Sequence, residues 1–114
     1  MIEGNPLYGK CPYYTSQKVL GGKWSLYILF LLKEHGTIRF NELQRLMPEE
    51  MTHTTLSRQL KTLEEDGLIV RKEYSVIPPK VEYSLSEIGE EFKTVLDALG
   101  DWGLKYNDFL KNMR

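Results

Sequence analysis

Residues 52–68 read THTTLSRQLKTLEEDGL, and the order of residue types in this stretch decides the fold. Leu56, Leu60 and Leu63 recur in steps that a helix stacks on one face, so a helix over residues 52–66 must turn them to a core. Thr52 opens it, and Gly67 closes it in the position where a left-handed backbone favours glycine. The opposite face carries Thr54, Arg58 and Lys61, with Thr55 and Ser57 flanking. Short hydroxyls and long cations suit a recognition helix: hydroxyls bond phosphates or base edges, and a guanidinium pairs with guanine O6 and N7. No acid interrupts residues 52–62, whereas Glu64, Glu65 and Asp66 sit at the far end, out of a groove's reach. The competing reading is the solvated face of an ordinary amphipathic helix, and the flanking elements choose between the two. His53 reads more simply as a helix-terminal polar residue than as a base reader.

Upstream, residues 37–40 are extended, Asn41 is a natural cap for a helix over residues 42–47, and Pro48-Glu49-Glu50 makes a turn. Downstream, residues 68–74 and 80–85 are rich in Ile, Val and Tyr and read as strands. Ser75-Val76-Ile77-Pro78-Pro79 joins them, its prolines stiffening the tip and removing two N–H donors. A helix-turn-helix followed by a hairpin is the winged-helix plan, which favours the DNA reading of residues 52–66. Arg71, Lys72 and Lys80 flank the wing and are candidates to grip the backbone or minor groove beside the helix.

Further out, Pro12 begins a short helix over residues 12–20 that Gly21-Gly22 stops. Residues 24–34 form a helix apolar nearly all round, so it packs on its own domain and on a second surface too. Lys23, just before it, is as consistent with a phosphate contact at a helix start as with an ordinary solvated lysine. Ser86 caps the last helix, although Gly89 in place of an acid misses the full capping box. Along that helix Ile88, Phe92, Val95, Leu99, Trp102, Tyr106, Phe109 and Met113 alternate steps of four and three. Gly100 and Gly103 weaken the seam locally. So many large side chains exceed what a small core covers, which makes Val95, Leu99, Trp102, Tyr106 and Phe109 a candidate dimer interface. The fold expected is mainly α with a small antiparallel β-hairpin: a winged helix-turn-helix domain with terminal dimerisation helices.

With 114 residues the chain fits one domain spanning residues 1–114. Hydrophobic residues at 41% and charged ones at 27% argue against disorder. The net charge of -1 announces no nucleic-acid partner, so a DNA-binding face has to be local. Residues 1–38 are net basic, 39–80 balanced and 81–114 net acidic. The single cysteine, Cys11, excludes an intrachain disulfide framework and a cysteine-based zinc cluster. His35 and His53 lack metal-ligand spacing and a sequence partner for nucleophilic catalysis, so no enzyme, metal or cofactor is expected. Residues 1–10 lack a signal-peptide core, and the longest apolar run, residues 26–32, is far short of the ~20 residues that span a bilayer. The expectation is a cytoplasmic protein with no membrane partner.

Several pieces together resemble the HxlR family of bacterial winged-helix regulators, relatives of the MarR type. They are Cys11-Pro12, Gly21-Gly22-Lys23-Trp24, Arg39-Phe40-Asn41-Glu42-Leu43, Leu63-Glu64-Glu65-Asp66-Gly67-Leu68-Ile69, Pro78-Pro79-Lys80-Val81-Glu82-Tyr83-Ser84-Leu85 and Asp101-Trp102-Gly103. The match covers residues 11–103, and its first glycine-lysine-tryptophan piece and the Pro-Pro-Lys-Val-Glu-Tyr piece are the specific ones. The resemblance implies a homodimer held by the first and last helices, binding double-stranded DNA at an inverted repeat and regulating nearby genes. It also marks Cys11, since several members sense oxidants, quinones or aldehydes at the matching cysteine. A small buried residue at a dimer interface is the equal alternative. The rival functional class is a winged-helix protein-interaction module without direct DNA readout. Nothing in the sequence names an operator or a small-molecule effector.

Overall fold

Leu56, Leu60 and Leu63 are completely buried, and the other elements close around them. The computed structural model describes residues 6–113, so the two ends of the expected domain, residues 1–5 and 114, lie outside the described residues. Half of the segment read for a signal core, residues 1–10, lies outside them as well.

The chain runs through α1 (Pro12–Val19), α2 (Ser25–His35), β1 (Ile38–Arg39), α3 (Phe40–Leu46), α4 (His53–Glu65), β2 (Ile69–Tyr74), β3 (Lys80–Leu85), α5 (Glu87–Glu91) and α6 (Lys93–Asn112). Proline stands in the first turn of α1, where its missing N–H is not needed. Helix α2 starts one residue later than the expected residue 24 and buries Ile28, Leu29, Leu31 and Leu32, while Leu26 and Phe30 stay exposed. The Thr52 hydroxyl accepts the Thr55 N–H at 3.1 Å and so caps α4. At its other end Gly67 takes φ 83°, and the Leu68 N–H reaches back to the Leu63 carbonyl at 3.0 Å.

Strand β3 lies between β1 and β2 in one antiparallel sheet, so the expected hairpin gains a third strand. Ile69 pairs with Leu85 and Tyr74 with Lys80, while Arg39 lies opposite Glu82. Only Ile69 of β2 is buried, so the hairpin leaves the core almost at once and projects as a wing. The Ile77–Pro78 peptide at its tip is cis.

Two expectations are corrected. Asn41 does not cap α3; it is exposed inside that helix, and the cap position is Arg39, which makes no side-chain cap bond. Arg39 is held extended (φ -76°, ψ 151°) by its pairing with β3, so helix can begin immediately at Phe40. The last helix is also not continuous. Ser86 accepts the Gly89 N–H at 3.1 Å as a cap should, but α5 ends at Glu91 and α6 starts after Phe92. Phe92 turns inward against the core and Gly89 is buried on the Leu68 carbonyl, so α5 is docked on the sheet. Helix α6 leaves with Leu96 as its one buried residue, and Ile88 is separated from the rest of the seam.

Candidate nucleic-acid interface

Three buried leucines anchor α4, each contributing about 1.5–3 kcal/mol by its removal from water, and this fixes which residues look outward. Thr54, Arg58 and Lys61 are exposed, and Thr55 and Ser57 are half-buried beside them. The Thr55 hydroxyl already accepts a hydrogen bond from the Thr52 hydroxyl at 2.9 Å, so it belongs to the helix cap as much as to the outer face. Ser57 Oγ lies 3.3 Å from His53 Nδ1, whose ring packs on Phe40 with centroids 4.3 Å apart. Among the described residues no carboxylate lies within ion-pair distance of Arg58 or Lys61.

The wing treats its cations differently. Lys72 and Lys80 lie over the Tyr74 ring, at 4.9 and 4.6 Å from its centroid. Lys80 is also 3.3 Å from Glu82, which accepts the Tyr74 hydroxyl hydrogen at 2.9 Å. That hydrogen bond, then the Lys80 ammonium and the nearby Arg39, hold the Glu82 carboxyl below the usual carboxylate range, against the opposing effect of burial. Arg71 reaches Glu73 at 3.2 Å, and hydrogen bonding with Tyr83, then Glu73, raises its guanidinium above the ordinary value.

Between α4 and the wing lies an open cleft of about 760 Å³. Ser57, Lys61, Glu64 and Glu65 line one side, Arg71 and Pro79 the other, and Phe40, Val81 and Tyr83 complete the lining, so Glu64 and Glu65 are in the cleft and not clear of it as expected. The structure thus brings Ser57, Lys61 and Arg71 together. It leaves Lys23 apart, exposed beside Glu49 at 4.0 Å and over the Trp24 ring at 5.4 Å. The cleft also holds Arg39, Asn41 and His53, which the sequence reading did not assign to the site. Arg39 and Asn41 share one signal, the short β1 segment, which docks the start of α3 against β3 and carries both toward α4; His53 is the first residue of α4 itself and meets them through Phe40.

A chain with this helix-turn-helix and wing matches the HxlR-like helix-turn-helix family over residues 19–110. It belongs to that family. An HTH-type transcriptional regulator of Halalkalibacterium halodurans is 47% identical over 94 residues, covering 82% of each chain. The solved HTH-type transcriptional regulator ytcD superposes with a TM-score of 0.78 at 44% identity, over 85% of this chain and 97% of its own. The redox regulator HypR in its reduced form gives a TM-score of 0.80 at 37% identity, over 89% and 98% of the two chains, and HypR has been solved in its oxidized form as well. The chain is therefore a helix-turn-helix transcriptional regulator, a non-enzymatic class. Among the described residues no helix is long and apolar enough to cross a membrane, and no three His, Cys, Asp or Glu gather to hold a metal.

On α6, away from the residues that line the cleft, the HxlR-like chain exposes an apolar stripe. Val95, Leu99, Trp102, Tyr106 and Phe109 share one face of α6, and Leu110 and Met113 extend it. Trp102 stacks on Tyr106 with centroids 5.2 Å apart, and Tyr106 meets Phe109 at 5.4 Å. Lys33 of α2 ties α6 to the core through Asp97 at 3.1 Å, and its bonds to Glu34 and Asp97 raise its ammonium above the ordinary value. Cys11 is half-buried at the cap position of α1, its N–H bonded to the Leu7 carbonyl at 2.8 Å.

Proposed function

We propose that this regulator is a cytoplasmic homodimer that binds double-stranded DNA at an inverted repeat, with α4 of each protomer reading one major groove. The observation that carries the reading is the state of Arg58. It stands on the outer face of a helix locked by buried leucines, and among the described residues no carboxylate lies within ion-pair distance of it. Thr54, Ser57 and Lys61 accompany it, Thr55 contributing mainly to the cap. Arg39, Arg71, Lys72 and Lys80 line the cleft or wing as backbone contacts, and Lys23 serves an outlying phosphate. Two such helices related by a two-fold axis call for half-sites about one helical turn, roughly 34 Å, apart.

The dimer reading is supported by the α6 stripe together with exposed Leu26 and Phe30 on α2. The chain's accessible surface of 8410 Å² also exceeds the roughly 6,500 Å² of a compact monomer of this mass. Cys11 is the proposed oxidant- or electrophile-responsive residue, supported by its partial exposure and by likeness to a redox regulator.

Binding titrations against an operator and a scrambled duplex test the central reading. Arg58→Ala should cost about 1–3 kcal/mol on the operator and relax sequence preference within each half-site. Equal weakening on both duplexes would make Arg58 a phosphate contact and remove the base-reading role. Failure of the wild type to bind any duplex would favour a protein-interaction module.

A further inference from the structure

The wing ends in its least polar residues. No side chain from Ser75 to Pro79 is charged, and Val76 and Ile77 are 50% and 99% exposed. Neither packs against the hydrophobic core, so their exposure does nothing for folding. The cations that would carry a wing to DNA lie further back, held by Tyr74, Glu82, Glu73 and Tyr83. Pro79, two residues from Ile77, lines the same cleft as Ser57 and Lys61 of α4. The apolar tip is therefore continuous with the α4 surface, on its outer flank.

We propose that Ile77, supported by Val76, is a specificity-determining residue that packs into the minor groove beside each half-site and selects A·T pairs there. This inference rests on the DNA-binding function proposed above. Deoxyribose sugars wall the minor groove with C–H groups, and an A·T pair presents only the acceptors N3 and O2 on its floor. A G·C pair adds the guanine amino group at that floor. Isoleucine has no donor or acceptor, so its discrimination is steric. The amino group fills the space its methyls need, and covering that donor with hydrocarbon strips its water without replacing the hydrogen bond. Isoleucine and proline are among the apolar side chains that minor-groove proteins place in the groove, there as wedges between base steps.

The test uses the full chain and a duplex selected from random DNA. Selected A·T pairs flanking the half-site are replaced by G·C or by inosine·C, which lacks the amino group and so keeps the minor-groove pattern of A·T. The wild type should bind the inosine duplex within about twofold of the A·T duplex and the G·C duplex roughly tenfold more weakly. Ile77→Ala and Ile77→Ser should bind all three alike, with the salt slope of the wild type because no phosphate contact is lost. Equal wild-type binding to A·T and G·C, or a loss on inosine as large as on G·C, would overturn the proposal. So would discrimination that survives in both variants, or a change in oligomeric mass of the variants without DNA, which would mark the tip as a contact between copies. A wild type that selects no sequence would sink the DNA-binding function itself, and the wing's role with it.

Discussion

Replacing Gly89 with alanine perturbs the packing step that decides where α6 leaves the core. A Cβ at Gly89 would lie 2.2 Å from the Leu68 carbonyl oxygen, 3.3 Å from its carbon and 3.4 Å from Leu85 Cβ. The obstacle is backbone, and the same carbonyl accepts the Ser86 N–H at 3.0 Å, so it cannot swing away without breaking the cap region. Relief requires α5 to lift by about 1 Å from the start of β2, the kind of overpacking that costs about 1–3 kcal/mol. A clash with backbone belongs near the top of that range, and alanine's helix preference returns about 0.5–1 kcal/mol. A net loss of about 2 kcal/mol should lower the melting temperature by roughly 8–10 °C. Gly100 in α6 has nothing within 4 Å of such a Cβ, so Gly100→Ala should raise stability by about 0.5–1 kcal/mol. Thermal melts followed by circular dichroism, at one protomer concentration, compare the two. A Gly89→Ala protein melting within about 2 °C of wild type would refute the seating of α5 on β2.

Leu99→Asp with Trp102→Asp should halve the mass seen by light scattering at micromolar concentration while far-ultraviolet dichroism stays native, since neither side chain is in the core; an unchanged dimer would place the interface elsewhere. Diamide, a quinone or an aldehyde should change the DNA affinity of the wild type and not of Cys11→Ser, and a wild type indifferent to all three would leave Cys11 a packing role only.

The elements with strong periodicity were legible because the chemistry that forms them is local. Leu56, Leu60 and Leu63 dictate the orientation of α4 whatever surrounds it, and Thr52 and Gly67 fix its ends by capping. The misreadings arise where tertiary contacts overrule local preference. Asn41 is a good cap by type, but the pairing of Arg39 with β3 moves the helix start ahead of it. The steps of four and three from Ile88 to Met113 continue unbroken on paper. Docking of Gly89 and Phe92 spends the first turn on the core and frees only the remainder. Arg39 is hidden for a related reason: β1 has two residues, too few for any period, yet it brings Arg39 into the cleft. Charge was readable on the wing, but the cross-strand pairing was not, since Tyr74 meets Lys80, and its hydroxyl Glu82, only once β2 and β3 are in register.

That pairing bears on how the proposed interface divides its work. With a net charge of -1, the chain has no global field to hold it on DNA, and affinity must come from local contacts. A lysine that keeps a carboxylate within 3.3 Å, as Lys80 does, must loosen it before a phosphate gains the full charge, and fewer counterions are released per cation. Among the described residues, Arg58 and Lys61 have no carboxylate within ion-pair distance. Non-specific attraction is thereby reduced at the wing and directional contact concentrated on α4. The surface is better suited to telling sequences apart than to holding any sequence tightly, because specificity is the ratio of the two bindings and the screened wing lowers its denominator.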